Sequence, residues 1–313
     1  MIHRIFNTRR KKLYLLGLAA SIGALGIATL KLRRGRRAER WRKAREDQVH
    51  HTALVTGASS GIGQAYARWL ASLGYNLVLV AHRVQRLNDL VEECRLHFGA
   101  CAEVMIADLS SPEGMARVEQ RIETSGDISF LVNNAGYSIY GDFAEIPIEA
   151  HLSMINSHTL ASVRFCRAAL PGMLARNGGA IVNISSVGAF IPCPKDATNS
   201  AGKAYLNSFS ESLALELAHT GVRVQSLAPG FTLTEFHDHP QSAEFEIIKR
   251  IPRWLWMAPD EVVRASLQAL GENRVVCIPG FKNQVIAAAG RIGLANILMD
   301  FLRRSSSSRQ RTL

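Results

Sequence analysis

The chain has 313 residues, 47% hydrophobic and 20% charged. That size and balance suit one globular α/β domain of about 250 residues with tails, and exclude a disordered chain. The formal net charge of +11 is confined to one end: residues 1–50 carry 14 of the 37 Lys and Arg and 3 of the 26 acids, which leaves the remainder balanced and argues against a nucleic-acid partner. Five scattered cysteines (Cys94, Cys101, Cys166, Cys193 and Cys277) are odd in number and form no C-x-x-C pair. They argue against a disulfide framework or a zinc site and favour a reducing compartment.

Residues 1–12 form a basic N-terminus, followed by 18 uncharged positions at 13–30. As a helix this run spans about 27 Å, against a hydrocarbon core of roughly 30 Å. Leu32 extends it to 13–32, because Lys31 can snorkel its ammonium to the interface. A signal peptide would share the basic start but needs a small-residue cleavage site and a neutral start beyond it. Here the run meets Lys31-Leu32-Arg33-Arg34-Gly35-Arg36-Arg37, a stop-transfer pattern. A surface-lying or buried helix is the other reading. The expectation is a single-pass membrane anchor, then a basic linker over 33–50 that rests on anionic headgroups. Nine Lys and Arg lie in residues 31–45 and five in 1–12, so the positive-inside bias puts the folded domain on the cytoplasmic side.

Thr52–Val55 reads as a buried strand that runs into Thr56-Gly57-Ala58-Ser59-Ser60-Gly61-Ile62-Gly63, then a helical pattern through Leu73. Strand, glycine turn and helix in this order suit a pyrophosphate at a helix N-terminus. A second strand at Asn76–Ala81, a helix near Val84–Phe98 and a third strand at Ala102–Ala107 complete a β-α-β-α-β half. An acid at the end of the second strand would accept from a ribose 2′-hydroxyl. The sequence there is Ala81-His82-Arg83, with no acid nearby, and Arg83 suits a 2′-phosphate by charge and fork geometry. A solvated surface arginine is the alternative.

The spacing T-G-x-x-x-G-x-G, followed in order by Asp108-Leu109, Asn133-Asn134-Ala135-Gly136 and Pro229-Gly230, resembles the short-chain dehydrogenase/reductase family over roughly residues 51–280. The resemblance implies a single doubly wound, mostly parallel Rossmann domain, bounded here at 51–282, that binds a nicotinamide dinucleotide; Arg83 makes the expected cofactor NADP(H), and no metal motif is present. It implies that Thr56, Gly57, Ser59, Ser60, Gly61, Ile62 and Gly63 form the pyrophosphate turn, and that Asp108 and Leu109 flank the adenine. Asn134, Ala135 and Gly136 would wall the nicotinamide half; Pro229, Gly230 and Thr234 would close over the carboxamide and pyrophosphate.

Members of the family place a serine after the fifth strand, a tyrosine thirteen residues later and a lysine four beyond that. Ile181–Ile184 reads as that strand, Ser186 and Lys203 fit, and the tyrosine position holds Asn199. Tyr205 cannot substitute: on a helix it lies about 200° around from Lys203, and it is read as a packing residue. In the family the tyrosine hydroxyl protonates the carbonyl oxygen, the lysine lowers its pKa and grips the ribose, and the serine hydrogen-bonds the carbonyl. An amide donates a hydrogen bond but yields no proton near neutral pH. A second departure is His158, where the family has an asparagine that holds a water; a histidine could hold that water, donate a proton, or simply be a satisfied helix residue.

Gly188-Ala189-Phe190-Ile191-Pro192 and the stretch from Phe231 to Met257, with Phe236, Phe245, Ile247, Ile248, Trp254, Leu255 and Trp256, are expected at the substrate cleft. Their apolar character beside an anchor suggests a lipophilic carbonyl, a long-chain 3-oxoacyl, sphingoid or steroid-like compound; ordinary core packing is the rival. Residues 283–303 form an apolar helical stretch that could pack on the domain, pair two subunits as a homodimer or rest on the bilayer, and 304–313 read as a disordered tail. The two functional readings are an NADP(H)-dependent oxidoreductase with impaired turnover and a non-catalytic, membrane-tethered NADP(H) sensor or scaffold.

Overall fold

The computed structural model describes residues 51–235 and 251–292. The expected anchor at 13–32, its basic flanks and the tail at 304–313 lie outside the described residues; among those described, no helix is long and apolar enough to cross a membrane.

Seven strands form one sheet in the order β3-β2-β1-β4-β5-β6-β7, with every pairing parallel. They are β1 (Thr52–Thr56), β2 (Asn76–Ala81), β3 (Ala102–Ile106), β4 (Ile128–Asn133), β5 (Gly179–Ile184), β6 (Val222–Leu227) and β7 (Val276–Cys277). The helices are α1 (Gly61–Ser72), α2 (Val84–Phe98), α3 (Pro112–Ser125), α4 (Ile148–Ile155), α5 (Ala161–Ala175), α6 (Ala197–Glu216), α7 (Pro259–Gly271) and α8 (Phe281–Arg291). The central strands are continuous apolar runs because helices cover both faces. Thus β1 and β4 are buried along their whole length, whereas the edge strand β3 is half-buried. One face packs Leu54, Val78, Leu131 and Ile181 against Val118, Ile122, Phe165 and Met173.

Local chemistry fixes the boundaries. Ser111 caps α3 by accepting from the Gly114 N–H at 3.0 Å, with Pro112 in the first helical position. By contrast, the Ser60 side chain does not cap α1, whose first turn carries no acid. Between α4 and α5 the helix widens into one π-helical turn, Asn156–Leu160, which carries His158. The described part of the C-terminal stretch, α8, packs on the domain with Asn283 and Ala287 buried. Tyr205 stays out of the cleft and packs on the surface of α6: it is 45% exposed and stacks on Phe209.

The strand order reverses between β1 and β4, so the loops that follow them leave to opposite faces and open a crevice. The Thr56 hydroxyl spans that opening. It donates to the Val132 carbonyl (3.3 Å) and accepts from the N–H groups of Asn134 (2.9 Å) and Ala135 (3.0 Å). Thr56→Val keeps the shape and orphans two N–H donors, so it is expected to destabilise the chain by about 2–4 kcal/mol in urea denaturation, with Thr56→Ser within about 1 kcal/mol of the parent. A loss below about 0.5 kcal/mol in the valine variant would show that these bonds do not hold the loops.

Candidate active site

The crevice is a cleft of about 1220 Å³ along the carboxyl ends of the strands. Of the residues expected at the cofactor, Gly57, Ser59, Ser60, Gly61, Ile62, Arg83, Asp108, Leu109, Asn134, Ala135, Gly136, Lys203, Pro229, Gly230 and Thr234 line it, as do Ser186 and Asn199. Thr56, Gly63 and His158 do not. Thr56 is buried as the tie described above. Gly63 packs α1 onto the glycine turn: a Cβ there would collide with the Gly57 carbonyl oxygen. Gly57 itself takes φ +64°, which lets the chain leave β1 sharply.

One end of the cleft suits an anion. The first turn of α1 has no side-chain cap and carries no acid of its own, so its N–H groups are open to an anion. Arg83 reaches across the glycine turn, donating to Ser59 Oγ at 3.0 Å and Ser60 Oγ at 2.7 Å. The expectation of no nearby acid holds only along the sequence: Arg83 Nη1 is 2.5 Å from Glu235 Oε2, and Arg86 pairs with the same carboxylate. Asp108 accepts from the N–H and hydroxyl of Ser110, which lowers its pKa.

The other end holds the reactive positions. Lys203 Nζ donates to the Ile184 carbonyl at 2.9 Å. Burial depresses its pKa to about 8, opposed by the charge of Asp196. Ser186 Oγ accepts from the Gly188 N–H at 3.0 Å, which leaves its own proton to donate into the cleft. Asn199 Nδ2 donates to Asp196 Oδ2 at 2.9 Å, while Asn199 Oδ1 is buried with no protein partner. Ser138 Oγ donates to the other Asp196 oxygen at 2.8 Å. Asp196 and Ser138 escaped sequence reasoning, although the i, i+3 spacing of Asp196 and Asn199 at a helix start was a usable signal.

His158 is 2% exposed and sits directly behind the cleft wall, its ring against Gly136, which lines the cleft together with Tyr137. Its Nε2 accepts from the Tyr137 N–H at 2.9 Å, and its Nδ1 has no protein partner. Burial, then the nearby Lys203 charge, drives its pKa well below 6.5. Burial therefore works against a charged ring; its Nε2 is engaged as an acceptor, and Nδ1–H remains to hold a water. Of the expected substrate segments, Gly188, Ile191, Pro192, Phe231 and Ile251 line the cleft, joined by Tyr137, Tyr140 and Ile286. Phe190 instead lies beneath the Arg291 guanidinium, Trp254 is exposed under Lys282, and Trp256 packs beside Phe231. Phe236, Phe245, Ile247 and Ile248 lie outside the described residues. Among the described residues no cluster of potential metal ligands occurs.

Residues 51–244 match the family model described as short chain dehydrogenase. The chain is 33% identical over 229 residues to a human protein named inactive hydroxysteroid dehydrogenase-like protein 1, covering 72% of this chain and 68% of that one. A short-chain dehydrogenase from Sphingobium yanoikuyae, solved in complex with NADPH, is 34% identical with a TM-score of 0.70 over 81% of this chain and 95% of that chain. A bulky-bulky ketone specific alcohol dehydrogenase from Comamonas testosteroni is 31% identical with a TM-score of 0.66, over 79% and 94%.

Because its folded value lies below 6.5, the unfolded chain takes up the His158 proton first, and this residue lowers stability as pH falls through about 6.5. Nitrogen chemical shifts of ¹⁵N-labelled histidine should show the His158 ring neutral and protonated at Nδ1 from pH 8 down to about 6. A midpoint near the ordinary value would overturn its assignment as a fixed acceptor.

Proposed function

Since the chain belongs to the short-chain dehydrogenase/reductase family, we propose that it is an NADP(H)-dependent oxidoreductase for the carbonyl or alcohol of a lipophilic substrate, with turnover limited by Asn199. The observation that carries this reading is the single cleft in which the glycine turn and Arg83 stand at one end and Ser186, Asn199 and Lys203 at the other. The cofactor fits the residues present. The α1 N-terminus and the glycine turn would take the pyrophosphate, Arg83 and Arg86 a 2′-phosphate, and Lys203 the ribose hydroxyls. When bound, the cofactor supplies or accepts the hydride. The Sphingobium relative's NADPH supports this choice.

The chain's own residues divide the remaining work. Ser186 donates a hydrogen bond to the substrate oxygen and orients it. Lys203, with its pKa near 8, is mostly charged at neutral pH and brings positive charge to that oxygen. Asn199 stands where a proton is needed, yet its amide donates to Asp196 and releases none. Missing a general acid costs about 10²–10⁴ in rate. The apolar stretch of Ile191, Pro192, Phe231, Ile251 and Ile286 suits a bulky hydrophobic ketone, the substrate type named for the Comamonas relative. A non-catalytic sensor is the second reading, favoured by the Asn199–Asp196 bond and by the name of the human relative.

Asn199→Tyr is expected to raise NADPH oxidation over a panel of lipophilic ketones by about 10²–10⁴, the share of a positioned general acid. Lys203→Ala in that background should abolish the gain. If both the parent and the tyrosine variant bind NADPH and neither oxidises it with any ketone, the sensor reading replaces this one.

The proposal includes a membrane anchor at residues 13–32, with the domain on the cytoplasmic side. Full-length protein is expected to stay with membranes through carbonate and high-salt washes, because about 18 apolar residues bind more strongly than a basic patch alone. Release by salt would reduce the attachment to electrostatics.

A further inference from the structure

Arg83 and Arg86 stand three residues apart at the start of α2, and both guanidinium groups converge on Glu235. The carboxylate arrives from a distant part of the chain and is held in place by its own segment. The Leu233 N–H donates to the Met257 carbonyl at 3.0 Å, and Thr234 lies directly over Gly61. Arg83 is fixed in turn by Ser59 and Ser60, so the fork is oriented before any ligand enters. All three charged groups line the cleft beside the glycine turn. Two arginines pointed at one position make a seat for a doubly charged oxyanion, and a carboxylate satisfies the same donors as a phosphate.

We propose that Glu235 is an internal counter-ion seated where a cofactor 2′-phosphate binds, and that it sets cofactor discrimination: NADP(H) displaces its carboxylate from Arg83 and Arg86, whereas NAD(H) leaves both pairs intact. This rests on the NADP(H) reading above. The two arginines stay paired in the free protein, and the phosphate exchanges one set of ion pairs for another rather than gaining new ones. The residue therefore holds NADP(H) affinity below what two free arginines would give. It also joins the two ends of the cleft, because the segment that carries Glu235 begins at Phe231 in the substrate region.

Calorimetric titration of the full chain with NADPH, NADH and adenosine 2′,5′-bisphosphate tests the assignment. Glu235→Gln is expected to tighten NADPH and the bisphosphate about five- to tenfold and to leave NADH within about twofold, the weight of two half-exposed ion pairs. Glu235 is on the surface, and an unchanged thermal melt verifies that the variant folds. Unchanged or weaker NADPH binding in the variant overturns the proposal. So does an equal gain for both cofactors, or a loss of NADH affinity, which would show the carboxylate accepting from the ribose hydroxyl. A parent that binds neither cofactor, or NADH alone, removes the NADP(H) reading and this inference together. A parent that prefers NADPH, paired with a variant no tighter, removes this inference alone.

Discussion

The Thr56 hydroxyl sits at the point where the sheet changes direction, and the cleft depends on it. In a parallel sheet every strand delivers its loop to the same edge, but only where the winding reverses do two neighbouring loops part to leave room for a ligand. Such a gap is expensive, since it exposes backbone donors that no helix or strand satisfies. One side chain answers for two of them, at Asn134 and Ala135, while the Asn134 amide returns two bonds to the carbonyls of Thr56 and Gly57. The glycine turn and the wall facing it are thereby fixed as one rigid frame, with both ends of the cleft referenced to it.

Within that frame, polar groups at the reactive end are arranged around Asp196. It accepts from Ser138 and Asn199, and its charge partly restores the Lys203 pKa that burial lowers. The carboxylate orients the asparagine amide and keeps positive charge on the lysine. Burial works against a charge on His158, so among the described residues the charge that supports Lys203 is that of Asp196. The site is electrostatically tuned, yet contains no group at position 199 able to pass a proton.

Much of the fold was legible because parallel strands buried on both faces are short apolar runs, and glycine turns break them at fixed places. β2 and α2 fall on the residues that pattern and spacing assign, and β3 ends one residue early. The site was legible where its signal is local: the glycine turn, Arg83, Ser186, Asn199 and Lys203 all stand in short motifs. It was not legible where residues meet through the fold. Glu235 lies 152 positions from Arg83, and nothing in its neighbourhood marks it as an arginine partner. His158 was visible as a departure from the family pattern. Its role was not, because the ring's direction depends on a helix geometry that sequence periodicity does not report. Tyr205 shows the same limit, since angular position excluded it from the site without telling interior from surface.

The π-helical turn at Asn156–Leu160 acts as a rotary joint. Such a turn accommodates one extra residue in an otherwise continuous helix, and everything before it is rotated by about 100° from the phase an unbroken α-helix would give. Ile148, Leu152 and Ile155, exposed along one side of α4, owe their outward direction to that offset. Loss of a single residue within the turn would let the backbone pairing close up as a continuous α-helix. It would also swing that stripe a quarter-turn around the helix axis and change the direction of the histidine ring that meets Tyr137. A one-codon deletion here is a change of surface and of cleft wall together, and it also turns the buried His151 and Met154 of α4 out of their places.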